Sequence, residues 1–150
     1  MQIGLACDHG GFELKEELKA FLKTLGIEPV DMGTFSEDSV DYPDFGALVA
    51  KKVSQGDLEK GILICGTGIG MSIVANKFRG VRAALTNDLY SAKFSRAHTD
   101  ANILIIGGRI VGKELAKEIV KLWLETPFEG GRHQKRLEKI AALEKEKIQE

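Results

Sequence analysis

The chain has 150 residues, 43% of them apolar, and its 21 Lys and Arg against 22 Asp and Glu leave a formal charge of −1. That length supports one domain with a full hydrophobic core, and the balanced charge excludes the broad positive field that a nucleic acid or an anionic membrane requires. No apolar run approaches the ~20 residues of a membrane span, and Met1 leads straight into an apolar run with no basic segment of a secretion signal, so a cytoplasmic protein with reduced cysteines is expected.

Short apolar runs bounded by Gly or polar residues fall at 3–6, 27–30, 62–64, 81–85 and 103–106, and read as strands buried on both faces. Between them lie helical stripes: Leu14, Leu18, Phe21, Leu22 and Leu25; then Phe45, Leu48, Val49 and Val53; then Leu115, Ile119, Leu122 and Trp123. Alternating strand and helix predicts an α/β, doubly wound, three-layer sandwich with a five-stranded parallel sheet, Rossmann-like, occupying 1–150 as one domain. An extra C-terminal helix over 130–149 follows Gly130 and Gly131, with a thin apolar stripe of Leu137, Ile140, Ala141 and Ile148. Docking on a partner subunit and folding back on its own sheet both fit that stripe.

Ligands of open parallel sheets bind beyond the carboxyl ends of the strands. Three polar clusters are expected there: Asp8, His9, Gly10 and Gly11 after the first strand, residues 65–70 after the third, and Gly107, Gly108 and Arg109 after the fifth. Each is read as opening a helix, whose free N–H groups suit phosphate or a developing oxyanion. In Cys65, Gly66, Thr67, Gly68, Ile69 and Gly70 the glycines let backbone approach a ligand, while the helix N-terminus favours a thiolate, competent as base or nucleophile. Cys7 lies inside the first apolar run and reads as core.

A dinucleotide fingerprint is rejected because its third glycine would fall at Met71 and the loop follows the third strand rather than the first. The phosphate-binding pattern G-x-x-x-x-G-K-[ST] is absent. His9, His98 and His133 lie far apart in sequence without short ligand spacing, so neither a metal nor a cofactor is expected. His9, beside Asp8 at a strand end, is placed to bond a phosphate. Arg132 and Arg136, four apart on one helix, are spaced to close two guanidinium forks on one phosphate.

Taken together, Asp8 to Gly11, Tyr42-Pro43, Cys65 to Gly70 with Ser72, Gly80-Val81-Arg82-Ala83, His98 with Ala101-Asn102, Gly107 with Arg109, and Gly131-Arg132-His133 with Arg136 resemble the ribose-5-phosphate isomerase B family over about residues 2–137. The resemblance implies interconversion of ribose 5-phosphate and ribulose 5-phosphate, a pentose phosphate pathway step, within a wider family that includes isomerases of six-carbon sugar phosphates. It implies Cys65 as the base that moves a proton between C2 and C1. Thr67 and the N–H groups of Gly66, Gly68, Ile69 and Gly70 would cradle a cis-enediolate, and His98 would open the sugar ring. Asp8 and Tyr42 would hold hydroxyls, and His9, Arg109, Arg132 and Arg136 the phosphate, with Asn102 a further polar contact. Where the family has Asn after the ring-opening His, this chain has Thr99, so a hydroxyl contact there is shortened or lost.

His98 is expected to end the fourth helix, ahead of the fifth strand, and a five-residue strand spans about 16 Å. Cys65 is expected at the opposite edge of the sheet. The two meet best across a subunit interface, which predicts a homodimer or dimer of dimers with composite sites and a small sugar phosphate as the other partner.

Overall fold

The computed structural model describes residues 1–149, with side chains described to residue 146, so Ile148 of the expected stripe lies outside the described side chains. Five strands form one parallel sheet: β1 (Gln2–Cys7), β2 (Glu28–Asp31), β3 (Lys60–Cys65), β4 (Ala83–Leu85) and β5 (Ile103–Gly107), in the order β2-β1-β3-β5-β4. The helices are α1 (Phe12–Thr24), α2 (Tyr42–Ser54), α3 (Ile69–Ala75), α4 (Leu89–Ala97), α5 (Lys113–Glu125) and α6 (Arg132–Gln149). The expected doubly wound α/β architecture is the one observed.

The period of two along each strand divides the core into two layers. Ile3, Leu5, Ile62, Ile64, Leu104 and Ile106 face α1, α4 and α5, where Leu14, Leu18, Ala92, Ile119 and Trp123 cover them. Ala6, Leu63, Ile103 and Ile105 face α2 and α3, where Val49, Ala50, Val53, Met71 and Ala75 do the same. Burial on both faces is why these strands read as continuous apolar runs.

Two boundaries differ from expectation. The run at 81–85 pairs only from Ala83, because the Arg82 N–H is taken by the Asn102 side chain at 2.8 Å and the Ala83 N–H by Asn76 at 2.9 Å. The run at 27–30 becomes Glu28–Asp31, an edge strand, which tolerates the missing donor of Pro29. Leu48 and Leu115 face outward, at 44% and 37% exposure, while Ala116 and Val120 turn inward. Lys15 is unexpectedly fully buried, its ammonium 2.6 Å from Asp31 and 2.7 Å from the Thr34 carbonyl.

The direction of winding reverses between β1 and β3, so the segments leaving their carboxyl ends flank the crevice where doubly wound sheets bind ligands. The backbone packs tightly there. A Cβ on Gly11 would stand 2.7 Å from the Ile64 carbonyl oxygen, so only glycine lets the turn after β1 close onto β3.

Candidate active site

Cys65 is the last residue of β3 and is 5% exposed. Its carbonyl accepts the Gly108 N–H at 2.8 Å, and the Gly66 carbonyl accepts the Arg109 N–H at 3.0 Å. These bonds tie the segment leaving β5 to the segment leaving β3. They set Arg109 beside Gly66 and Gly10, where an added Cβ would lie 3.4 Å from its guanidinium group. Contrary to expectation, Gly107, Gly108 and Arg109 do not open a helix; α5 starts at Lys113. Arg109 therefore lies in a turn, not at a helix end.

Gly68 precedes α3 with φ +86, a conformation that glycine adopts without strain. The Thr67 hydroxyl accepts the Ile69 N–H at 3.2 Å, which leaves its own O–H free to donate. Thr67 and Ile69 are exposed, whereas Gly68 is buried. Gly70 lies under the ring of Tyr42, so close that any Cβ would overlap it. Tyr42 is the first residue of α2, and this stacking swings its hydroxyl toward the cysteine loop.

On the other side of the loop, Asp8 is 8% exposed and its carboxylate accepts the Gly10 N–H at 2.9 Å. His9 Nδ1 accepts the Val40 N–H at 3.2 Å. That bond fixes the neutral tautomer, so Nε2 carries the proton and is a donor. A cleft of about 480 Å³ opens between His9, Gly10, Glu13, Arg109 and Lys113. Cys65 is not in its wall, which Glu17 and Glu37 also line, so the cleft adjoins the thiol loop on the side of Gly10 and Arg109. Asn87, which sequence reasoning missed, accepts the Gly107 N–H at 2.9 Å and anchors the end of β5. A lone Asn in a turn carries no signal that would have distinguished it.

Cys7, expected in the core, lies there. Cys7 is fully buried, and desolvation pushes its thiol up to about 12, so it stays protonated and inert.

The remaining candidates form a second cluster at the opposite end of β5. His98 caps the C-terminus of α4. Its ring stacks on His133 at 4.1 Å and 12°, and on its other side tilts against Phe94 at 4.7 Å. Both His Nε2 atoms stand 3.7 Å from the same Glu129 oxygen. The separation of His98 and His133 in sequence therefore does not hold in space, which removes the ground on which a metal was discounted. Burial, with His98 and Arg132 adding positive potential, holds His133 below the usual histidine range. Arg132 and Arg136 lie exposed on the first turns of α6. Thr99 donates its hydroxyl to the Ser95 carbonyl at 2.6 Å. The Asn102 amide donates to the Gly80 carbonyl at 2.9 Å and accepts from Arg82 N–H, so its polar atoms brace the turn before β4.

Thus one chain brings together Asp8, His9, Tyr42, residues 65–70 and Arg109 at one edge of the sheet. It holds His98, Thr99, Asn102, Arg132 and Arg136 at the other, a strand length away, about 16 Å for five residues.

The family model described as Ribose/Galactose Isomerase matches residues 3–140. The chain belongs to this family. Among its relatives it is 52% identical over 143 residues to the ribose-5-phosphate isomerase B of Escherichia coli, covering 95% of this chain and 96% of that one. The solved ribose-5-phosphate isomerase B of Clostridium thermocellum superposes with a TM-score of 0.96 at 53% identity, over 97% of this chain and 99% of that one. The Mycoplasma genitalium ribose-5-phosphate isomerase B, solved with bound ribulose-5-phosphate, superposes with a TM-score of 0.93 at 44% identity, over 97% of each chain. Among the described residues of this family member no helix is long and apolar enough to cross a membrane.

Proposed function

We propose that this chain interconverts ribose 5-phosphate and ribulose 5-phosphate by proton transfer through a cis-enediolate. The observation that carries the reading is the placement of Cys65 at the floor of a glycine loop, with an arginine and a histidine donor on one side and a tyrosine hydroxyl on the other. The Cys65 thiolate removes the C2 proton and returns it to C1, while the hydroxyl proton on O2 passes to O1. The O–H of Thr67 and the backbone N–H groups of Gly66, Gly68 and Gly70 hold the developing oxyanion, for which one donor is worth roughly 3 kcal/mol, while the Ile69 N–H stays on the Thr67 hydroxyl. Asp8 and Tyr42 accept and orient hydroxyls. His9 Nε2–H and Arg109 bind the phosphate through hydrogen bonds to its charged oxygens.

Ribose 5-phosphate is largely cyclic, and ring opening needs a second proton acceptor. His98 supplies it, with Arg132 and Arg136 closing on the phosphate from the same side. Because one chain holds these groups a strand length from Cys65, the working site is composite: a homodimer in which α6 and the end of α4 of one subunit face the cysteine loop of the other. The exposed character of α6, where Ile140 and Leu143 are 48% and 63% exposed, supports docking on a partner. Thr99 keeps its hydroxyl within its own helix, and Asn102 braces a turn, so neither is assigned a substrate contact.

The family description names galactose beside ribose, which gives a second reading: isomerisation of a six-carbon sugar phosphate such as allose or galactose 6-phosphate. A single carbon changes transition-state binding by only about 1 to 3 kcal/mol. The test is kcat/KM for ribose 5-phosphate against the two six-carbon phosphates, with proton exchange at C2 followed in deuterated water. Preference for the five-carbon sugar with C2 exchange is expected; binding of sugar phosphates without exchange would make the chain a sensor instead of an enzyme.

A further inference from the structure

The ring of His98 is held by its faces. It stacks on His133 at 4.1 Å and 12°, and it meets Phe94 at 4.7 Å and 47°. Imidazole lone pairs and N–H bonds lie in the plane of the ring. Two rings stacked in this way carry their nitrogens in parallel planes, so the pair can neither converge on one metal ion nor hydrogen-bond to each other. Both Nε2 atoms stand 3.7 Å from Glu129 Oε1, too far for a hydrogen bond. These contacts fix the plane of His98 and leave its nitrogen edge unspent.

The two imidazoles come from separate pieces of chain that are anchored to each other. His98 ends α4, with its backbone N–H on the Phe94 carbonyl at 2.9 Å, and His133 is in the first turn of α6, with its N–H on the Gly130 carbonyl at 3.0 Å. Between them the Glu129 N–H donates to the Ala97 carbonyl at 3.0 Å, which ties the connection before α6 to the end of α4. The His133 side chain is 8% exposed against 38% for His98, so the buried ring is the support and the accessible ring is the one a substrate can reach. Burial, together with positive potential from His98, Arg132 and Arg136, outweighs the Glu129 carboxylate and holds His133 below the usual histidine range, which leaves the support uncharged at neutral pH. A charged ring in the stack would oppose every proton that reached His98.

We propose that His133 is a positioning residue for ring opening, its buried ring supporting that of His98 face to face so that the His98 nitrogen edge is presented to the sugar. Opening breaks the C1–O4 bond: His98 takes the O1 proton as the aldehyde forms and returns it to O4, so no net proton stays on the imidazole. A ring that serves two oxygens in turn depends on its plane, and a misplacement of about 1 Å can cost 10²-fold in rate. His133 acts only through His98, and its assignment rests on the ring-opening role given to His98 above.

The test separates ring opening from enediolate formation in the full chain. Ribulose 5-phosphate stays open-chain because its 5-oxygen carries the phosphate, so deuterium exchange at its C1 in deuterated water needs Cys65 but no ring opening. His133→Leu and His133→Gln, two ringless replacements of differing polarity, should each lower isomerisation of ribose 5-phosphate by about tenfold to hundredfold while C1 exchange stays nearly unchanged. His133→Phe, which keeps an uncharged ring in the stack, should recover most of the lost isomerisation. An equal fall of isomerisation and exchange in whichever ringless variant is folded by circular dichroism would make His133 merely structural and overturn the proposal. Unchanged isomerisation in that variant, or no recovery in His133→Phe, would overturn it as well. His98→Asn reports on the underlying reading: it should show the same split more deeply, and undiminished isomerisation there would remove His98 from ring opening whatever the His133 variants do.

Discussion

The ring of Tyr42 occupies the space over Gly70 that a side chain would need, which links the start of α2 to the start of α3 at the cysteine loop. Gly70→Ala must displace that ring, and overpacking of this kind costs about 1–3 kcal/mol. We expect lower stability and a lower kcat/KM from one substitution. In a double-mutant cycle with Tyr42→Ala the stability losses should be strongly non-additive, because removing the ring removes the clash. Additive losses would separate the two residues.

Cys65 and Thr67 have distinct tasks in the proposed reaction. Cys65→Ala should abolish turnover while leaving binding of ribose 5-phosphate, followed by calorimetry, nearly intact. Thr67→Ala removes one oxyanion donor and should reduce kcat by about 10²-fold with little change in KM. Normal turnover by Cys65→Ala would remove the thiol from the mechanism.

A composite site makes a prediction that no single-chain site shares. Inactive Cys65→Ala and inactive His98→Asn proteins, mixed and allowed to exchange subunits, should regain activity, since one site of each hybrid dimer then carries both wild-type groups. Sedimentation should show a dimer or a dimer of dimers. Recombination without recovered activity would place the whole reaction within one chain.

Thiol chemistry should separate the two cysteines. With its thiol pushed up to about 12 by burial, Cys7 remains protonated at pH 8. Iodoacetamide on the folded protein should leave Cys7 unmodified until denaturant is added, and loss of activity should follow modification of Cys65 alone, read by peptide mass mapping.

Stability should depend on Asp31 in acid. Burial by itself would raise its pKa, but hydrogen bonds from Lys15 and Lys19 outweigh that and hold the carboxyl below its usual range. A depressed folded-state value contributes stability above the unfolded carboxylate's pKa, about 3.9, and loses it as pH falls through the folded value. Asp31→Asn leaves the fully buried Lys15 ammonium with only the half-exposed Glu16 carboxylate at 3.6 Å, and breaking a buried pair costs up to about 3–5 kcal/mol. Urea denaturation should show that deficit at pH 7 and a shrinking difference from wild type below about pH 4.

How much of this was legible without coordinates depends on the range of the interactions involved. Strand runs, helix stripes and the glycine spacing of residues 65–70 are local, and local periodicity is enough to specify parallel β and α elements and hence a crevice at the carboxyl ends of β1 and β3. Boundaries were blurred where a side chain from elsewhere intervened, as Asn102 and Asn76 do at the start of β4. The Arg109 cluster was misread as a helix start because Gly and Arg after a strand look alike whether they cap a helix or form a turn.

The sequence by itself determined the layered fold, the position of Cys65 at a glycine loop and the inertness of Cys7, because each follows from residues within a few positions of one another. Only the tertiary structure decided that Lys15 is interior, that Asn87 anchors β5, and that His98 stacks on His133 over a shared Glu129. Those relations join segments whose approach is set by packing of whole elements against the sheet. Sequence separation carries no information about distance once the chain has crossed from α4 through β5 and α5 to α6.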